Sequence, residues 1–333
     1  MNERDPIEGN STDPDAAAEN ENVRGVRRID RVPSASNPGE ALRTVLNVLD
    51  LKPSESAGDS VGLVLDGQER FIGTSYRPPW QRIFGGQVLA QSLVAALRTV
   101  DPARTAHSLH AYFLRPGDPE QPIEFAVERL RDGRSFSARR THALQRGKPI
   151  LSMITSFQLP AEGIDHYAPM PDAPDPEDLP SLEDQFGHID IPAVQQMLRS
   201  RPVDLRHVDG SIYISPPAQK SAHQLVWLRA GDRMPDEEWL HIAMLAFVSD
   251  YTLLEPAIRA HGLAWGRPGM KVASLDHAMW FHRPARVDEW LLYVQESPSA
   301  SGARGLALGR LYRRDGVLVA SVAQEGMLRV PPK

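Results

Sequence analysis

The chain has 333 residues, 41% of them hydrophobic, a formal net charge of −6 and no cysteine. This length accommodates two ordinary domains or one duplicated fold. The acidic balance argues against nucleic acid as a partner, because phosphate binding requires a basic face. The lack of cysteine excludes disulfides, thiolate metal sites and a cysteine nucleophile. Because we find neither a signal-peptide core nor an apolar run that could span a bilayer, we expect a cytoplasmic protein without membrane insertion.

The first 36 residues contain few large apolar side chains and many polar and charged ones. Such a segment cannot bury enough surface to offset the entropy lost on ordering, so we expect residues 1–36 to form a disordered tail. Ordered structure should begin at Asn37, which can cap a helix that has Pro38 at its first position and Glu40 three residues after the cap. The sequence therefore predicts a short helix at this point.

A second, longer helix is predicted to begin near Phe84-Gly85-Gly86-Gln87 and to end before Asp101-Pro102. It is apolar around most of its circumference, which is typical of an enclosed helix. Four extended runs follow, with an Asp-Gly turn between the second and third, at residues 108–114, 123–131, 135–145 and 149–158. Residues 37–159 are thus expected to form one unit, a buried helix followed by an antiparallel meander.

Prolines then mark a connection between two units. Six of them fall between residues 160 and 180, which predicts an extended linker over residues 160–202 with a short helix at 191–199. After it the earlier pattern returns, because residues 203–333 contain a helix near 237–249 and further extended runs. We expect these last residues to form a second unit of the same kind.

A repeated segment supports this duplication. Residues 107–116 read His-Ser-Leu-His-Ala-Tyr-Phe-Leu-Arg-Pro, and residues 274–284 read Ser-Leu-Asp-His-Ala-Met-Trp-Phe-His-Arg-Pro. Aligning the two Arg-Pro pairs also aligns Arg146 with Arg314, and one extra residue in the later copy, as in a β-bulge, matches His110 with His277. Two separate segments with one offset indicate an internal repeat. The predicted fold class is α+β, with two fused copies of a helix wrapped by an antiparallel sheet.

Asp250 is the first candidate for a functional residue. It shares a helix face with Ala246 and Phe247, and it lies at the helix C-terminus, where the macrodipole disfavours a carboxylate. Burial and the dipole both oppose its charge, so Asp250 must find hydrogen-bond donors or have a raised pKa. Such a conflict indicates function. The alternative is that the helix end frays and leaves Asp250 in solvent.

Gln324 and Ser274 are the next candidates. Strand alternation puts Gln324 on one face with Val322, where an amide needs a partner. A structural bond to nearby backbone is an equally good explanation. Ser274 opens a strand and is expected to share its face with Asp276. A serine at that position is by itself usually structural.

Several motifs together resemble the acyl-CoA thioesterase II family, over roughly residues 40–330: residues 84–87, 107–118, 130–140, 276–284 and 316–326. The resemblance implies a double hotdog fold and the hydrolysis of fatty acyl-CoA to free fatty acid and CoA, without a metal or organic cofactor. It also implies that Asp250, Ser274 and Gln324 together bind and activate water. Bacterial members of the family often have threonine where this chain has Ser274, and both side chains provide a hydroxyl.

The resemblance leads to further expectations about partners. The oxyanion needs donors, and the N–H groups of Gly86 and Gln87 are candidates, although glycine could equally serve tight helix-to-sheet packing. Arginines such as Arg139, Arg140 or Arg310 could meet the CoA phosphates. A homodimer or higher homo-oligomer is expected by analogy with other hotdog sheets.

Two other functions stay open on the sequence. A hotdog dehydratase or hydratase would need a histidine paired with an acid in one site. The adjacent pair Asp276-His277 does not fit, because neighbours on a strand face opposite ways. A non-catalytic sensor of acyl-CoA is the other alternative.

Overall fold

The computed structural model describes residue 35 and residues 37–54, 68–76 and 82–331. The expected tail, residues 1–36, lies outside this part of the chain except for Ala35. The first helix, α1, spans Pro38–Leu49, and the side chain of Asn37 accepts the N–H of Glu40 at 2.9 Å. The cap predicted from the sequence is therefore present.

The remaining helices are α2 Gly85–Leu97, α3 Leu182–Phe186, α4 Pro192–Arg199, α5 Glu238–Ser249 and α6 Glu255–Ala260. The strands are β1 Lys52–Pro53, β2 Glu69–Gly73, β3 Thr105–Phe113, β4 Ile123–Asp132, β5 Phe136–Gln145, β6 Lys148–Gln158, β7 Val203–His207, β8 His223–Ala230, β9 Lys271–Ser274, β10 Asp276–Phe281, β11 Leu291–Ser301, β12 Arg304–Arg313 and β13 Leu318–Arg329. No helix among the described residues is long and apolar enough to cross a membrane.

The strands join in one antiparallel sheet in the order β1-β2-β4-β5-β6-β3-β10-β13-β12-β11-β8-β7, and β9 pairs with β13. The order of the second half repeats that of the first in reverse. The two repeated segments found in the sequence are β3 and β10, and they pair with each other where the halves meet, with Ala111 opposite His277 and His110 opposite Ala278. The sheet thus contains the expected duplication.

The long helices α2 and α5 lie against each other, and α2 also packs on β4, β5 and β6. Residues 86–96 of α2 are all buried, which confirms that this helix is enclosed. Its neighbour α5 is buried along nearly all of its length. This pairing of helices brings the N-terminus of α2 beside the C-terminus of α5. Their closeness is evident at Gly85, where an added side chain would meet the carboxyl group of Asp250.

The proline-rich segment is bound to the second half of the sheet. The indole N–H of Trp227 donates to the Pro174 carbonyl oxygen at 2.9 Å, and Arg314 bonds to Asp175 and Glu177 at 2.8 and 2.9 Å. Leu179 packs on the same cluster as Trp227. The prolines of residues 160–180 lower the entropy lost when this segment is held against the sheet.

Candidate active site

A cavity of about 930 Å³ lies beside the first residues of α2 and the last residues of α5. Asp250 and Ser274 line it, and the exposed side chains of Arg82 and Arg115 add positive charge. The rest of its wall is mostly apolar and includes Ile83, Phe84, Val88, Phe113, Ile150, Met197, Tyr251, Leu254 and Trp265. An acid, a hydroxyl and an apolar surface therefore meet in one space.

The three residues predicted to act together are in direct contact. Oδ1 of Asp250 accepts the hydroxyl of Ser274 at 3.0 Å and the amide nitrogen of Gln324 at 2.9 Å. The same amide nitrogen lies 2.8 Å from Ser274 Oγ. Asp250 comes from the end of α5, Ser274 from β9 and Gln324 from β13. Two neighbouring strands and one helix thus direct three polar side chains at one point.

The electrostatics of Asp250 follow from its position. Burial raises the pKa of Asp250, while the nearby His277 and hydrogen bonds from Gln324, Ser274 and the Gly86 N–H oppose that rise. Because the first effect is the largest, the carboxylate binds a proton more readily than it would in water. A carboxylate of this kind is suited to accepting a proton from a water molecule.

Gly85 allows the close approach of α2 to this carboxylate. A Cβ atom added at Gly85 would lie 2.7 Å from Asp250 Oδ2 and 3.1 Å from the Phe113 ring. The positive end of the α2 dipole can therefore act on the acid directly. This interaction offsets part of the unfavourable dipole of α5, whose C-cap is Asp250.

Ser274 does not share a face with Asp276, contrary to the expectation from regular alternation. Ser274 pairs with Gly326 and Ala278 pairs with Ala323, so three residues on one side oppose two on β13. This extra residue is a β-bulge, and it reverses the direction of the side chains that precede it. The bulge turns Ser274 toward Asp250, whereas Asp276 accepts the Glu325 N–H at 2.7 Å.

Gln324 is 1% exposed and lies on the buried face of β13 with Val322. Its amide oxygen is hydrogen-bonded to Nδ1 of His277, and Nε2 of that imidazole lies 2.9 Å from Ser249 Oγ. His277 and Ser249 are fully buried. The polar group around Asp250 therefore extends inward beyond the three predicted residues.

Sequence analysis missed the contact between His277 and Gln324. Alternation with Met279, which is also buried, is a signal that His277 faces the interior. Its neighbour on β13 depends on the pairing register, which a single strand does not encode. The offset of the repeat does not supply that register either.

The arginines expected to meet CoA phosphates are held by protein groups instead. Arg139 is 1% exposed, and its guanidinium donates to the carboxylate of Asp132 at 2.7 Å and to the carbonyl oxygen of Thr99 at 3.0 Å. Arg140 and Arg310 each lie beside a glutamate. None of the three lines the 930 Å³ cavity, so a contact of these arginines with CoA phosphates stays a prediction.

The two N–H groups expected to bind the oxyanion already donate hydrogen bonds within the protein. The N–H of Gln87 donates to the Phe84 carbonyl oxygen at 3.1 Å, and the N–H of Gly86 is directed at Asp250. A Cβ atom added at Gly86 would lie 2.3 Å from the Phe247 carbonyl oxygen. The glycine therefore allows close packing of α2 on α5, a helix-to-helix contact in place of the helix-to-sheet packing expected as the alternative.

A second buried carboxyl group, Glu255, lies outside the wall of this cavity. Burial alone would raise its pKa, but the hydrogen bond and charge of His207, with donors from Trp265 and Gln224, lower the pKa overall. The distances to Glu255 are 3.2, 3.0 and 3.2 Å in that order. Glu255 is thus a well-bonded acid, held as a carboxylate.

Comparison with known proteins gives consistent matches over both halves. Residues 76–158 match the family described as acyl-CoA thioesterase N-terminal domain, and residues 210–327 match the family described as acyl-CoA thioesterase. Acyl-coenzyme A thioesterase 8 of Homo sapiens is 38% identical over 89% of this chain and 92% of its own. Acyl-CoA thioesterase 2 of Haemophilus influenzae is 35% identical over 85% of this chain and 97% of its own.

Solved structures agree with this assignment. Acyl-CoA thioesterase II TesB2 from Mycobacterium marinum is 44% identical, with a TM-score of 0.69 over 86% of this chain and 98% of its own. A protein from Alicyclobacillus acidocaldarius described as having a hot dog fold is 20% identical and covers 86% of this chain and 98% of its own, with a TM-score of 0.66. The predicted α+β double hotdog is confirmed. The chain belongs to the acyl-CoA thioesterase II family.

Proposed function

We propose that the protein hydrolyses fatty acyl-CoA to free fatty acid and CoA, and that Asp250, Ser274 and Gln324 activate the attacking water. Membership of a family of thioesterases supports the reaction class. One observation carries the choice of residues: Oδ1 of Asp250 accepts hydrogen bonds from both Ser274 and Gln324 at the wall of an apolar cavity. This arrangement leaves the carboxylate with accepting capacity for a water molecule.

In this mechanism a water molecule bound near the three side chains gives one proton to Asp250 as its oxygen attacks the thioester carbonyl carbon. A tetrahedral intermediate forms, and its collapse breaks the carbon–sulfur bond. The carboxylic acid of Asp250 then returns the proton to the departing sulfur of CoA. When the water binds, Gln324 exchanges its bond to Ser274 Oγ for one to the water oxygen, and Ser274 Oγ accepts the second hydrogen of the water. These bonds fix the direction of attack, which lowers the entropy lost in the reaction.

The cavity also suits the two ends of such a substrate. An acyl chain would lie along apolar side chains such as Phe84, Val88 and Phe113, where it is removed from water. The exposed Arg82 and Arg115 would face the phosphates of CoA, which stay hydrated and carry several charges.

The proposal also includes the domain organisation, the oligomeric state and the cellular location of the protein. Residues 37–159 and 203–333 would act as two hotdog units, joined by residues 160–202, with the catalytic acid in the second. The matching strand order of the two halves supports this division. A cytoplasmic location and a homodimer or larger homo-oligomer, suggested by composition and by other hotdog proteins, complete the proposal.

Release of CoA from palmitoyl-CoA and shorter thioesters tests the assignment. Asp250→Asn should lower kcat at least about 1,000-fold and Gln324→Ala about 100-fold, because each removes a group that handles the water. Glu255→Gln is the matched control, a buried acid outside the cavity wall, and should keep kcat within about threefold.

Undiminished hydrolysis in both Asp250→Asn and Gln324→Ala would contradict the catalytic assignment. Failure of the unmodified protein to hydrolyse any thioester would favour the alternative function, a non-catalytic sensor of acyl-CoA. A product with an altered acyl chain and an intact thioester bond would favour a dehydratase or hydratase.

A further inference from the structure

His277 lies behind Gln324, and neither side chain is part of the wall of the cavity. It is buried, with Nδ1 bonded to the Gln324 amide oxygen and Nε2 at 2.9 Å from Ser249 Oγ. The Ser249 hydroxyl is also 2.9 Å from the Ala246 carbonyl oxygen. The mechanism above does not use this histidine, although His277 contacts the amide on which the mechanism depends.

The chemistry of an amide restricts how Gln324 can be held. Its nitrogen only donates and its oxygen only accepts, so the two ends are not interchangeable. The ionised carboxylate of Asp250 only accepts, so the amide nitrogen must face it. The amide oxygen then points away and needs a donor there. His277 Nδ1 occupies that position and must therefore carry a proton.

This requirement selects one form of the neutral imidazole. With its proton on Nδ1, His277 has an acceptor at Nε2, which the Ser249 hydroxyl can satisfy by turning away from Ala246. In the opposite tautomer Nδ1 becomes an acceptor and favours a rotated amide. Gln324 would then present its oxygen to Asp250, and two acceptors would face each other.

Charged groups around His277 come from two directions. Burial lowers the pKa of His277, while the charges of Asp250, at the end of α5, and Asp276, on its own strand, act in the opposite direction. On β11, Tyr293 donates its hydroxyl to the Ser249 carbonyl oxygen at 2.9 Å. On the other side, His277 pairs with Ala111 of β3, which has no charge. The uncharged imidazole is therefore favoured by its enclosure.

We propose that His277 is a positioning residue, which holds the Gln324 amide nitrogen toward Asp250 and Ser274 before substrate binds. The inference rests on the proposed function. His277 touches neither the water nor the thioester and acts through Gln324 alone. Its loss should therefore reduce kcat without weakening substrate binding.

Two substitutions separate the donor from the volume of the ring. His277→Leu removes the donor and should lower kcat roughly 100-fold with KM changed less than about threefold, because the amide loses its fixed orientation. His277→Asn retains an N–H near the position of Nδ1 and should recover at least about tenfold of that loss. A kcat of His277→Asn no higher than that of His277→Leu would overturn the proposal.

Combination with Gln324→Ala provides the decisive readout. If His277 acts through Gln324, then His277→Leu should cost less than about threefold in kcat once Gln324 is alanine. His207→Leu is the matched control, because His207 is also buried but bonds to Glu255. Its effect should multiply with that of Gln324→Ala. A multiplied loss for His277→Leu would contradict the positioning role.

The tautomer can be measured in the unmodified protein, independently of activity and of whether the leucine variant folds. Ring nitrogen NMR, with the signal assigned by its loss in His277→Asn, should show a protonated Nδ1 and a bare Nε2. The reverse tautomer would overturn the inference even if hydrolysis occurs. Full activity of Gln324→Ala would remove the catalytic role of Gln324 and the inference together, whereas lack of hydrolysis by the parent contradicts only the proposed function.

Discussion

The two long helices end in opposite electrostatic arrangements. Just beyond α2, the buried guanidinium of Arg139 donates to the hydroxyl and the carbonyl oxygen of Thr99 at 2.9 and 3.0 Å. A cation thus meets the negative end of a helix, which is the favourable arrangement. The C-cap of α5, by contrast, is Asp250, a carboxylate. The dipole and burial both oppose that charge.

The difference shows where a duplicated fold accepts a local conflict. The α2 end is closed by bonds within the protein, since Arg139 also reaches Asp132. The α5 end keeps its acid because Ser274, Gln324 and the Gly86 N–H donate to it. Residues that break local rules at a cavity are expected to trade stability for function.

The largest effect on stability should come from the α2 end. Arg139→Ala leaves the Thr99 carbonyl oxygen without its donor and removes the guanidinium from Asp132, and it should lower the free energy of unfolding by about 3 kcal/mol. The value is at the low end for a buried pair because Asp132 is half-exposed. Denaturant unfolding measures it, with Arg139→Lys as a milder control that keeps the charge without the planar fork. A loss below about 1 kcal/mol would remove the contrast between the two helix ends.

A smaller effect of opposite sign is expected at the α5 end. Asp250→Asn removes the charge that burial and the helix dipole oppose, and should raise the free energy of unfolding by about 1 kcal/mol while hydrolysis is lost. The same denaturant measurement on the folded variant checks it. A variant less stable than the parent would show that the bonds from Ser274 and Gln324 outweigh the unfavourable terms.

The pH dependence of this difference is the smallest expected effect. The folded pKa of Asp250 is raised, so the folded protein retains a proton that the unfolded chain releases near pH 3.9, roughly the ordinary pKa of aspartate. This contribution to stability is complete below that pH and is lost as pH rises through the folded pKa. The advantage of Asp250→Asn over the parent should therefore grow with pH and then level off. A difference independent of pH would contradict the raised pKa.

Local signals in the sequence singled out two of the three candidate residues, and the resemblance to the family added Ser274 and grouped them. Asp250 was found because it conflicts with its helix, and Gln324 because it alternates with Val322. The predicted direction of the Ser274 side chain was wrong, because the bulge near residue 275 depends on pairing with the partner strand. His277 was missed as a neighbour of Gln324 because strand register is fixed by pairing over a long range.

The pairing of β3 with β10 makes each half incomplete without the other. Asp250, Ser274 and Gln324 belong to the second half, whereas Gly85 and Phe113, which close around the acid, belong to the first. A cut within residues 160–202 would not yield two independent modules. Separation would uncover the backbone N–H and C=O groups of both central strands, an open template for strand addition. Reassembly along that edge, or aggregation through it, would be the fate of such fragments.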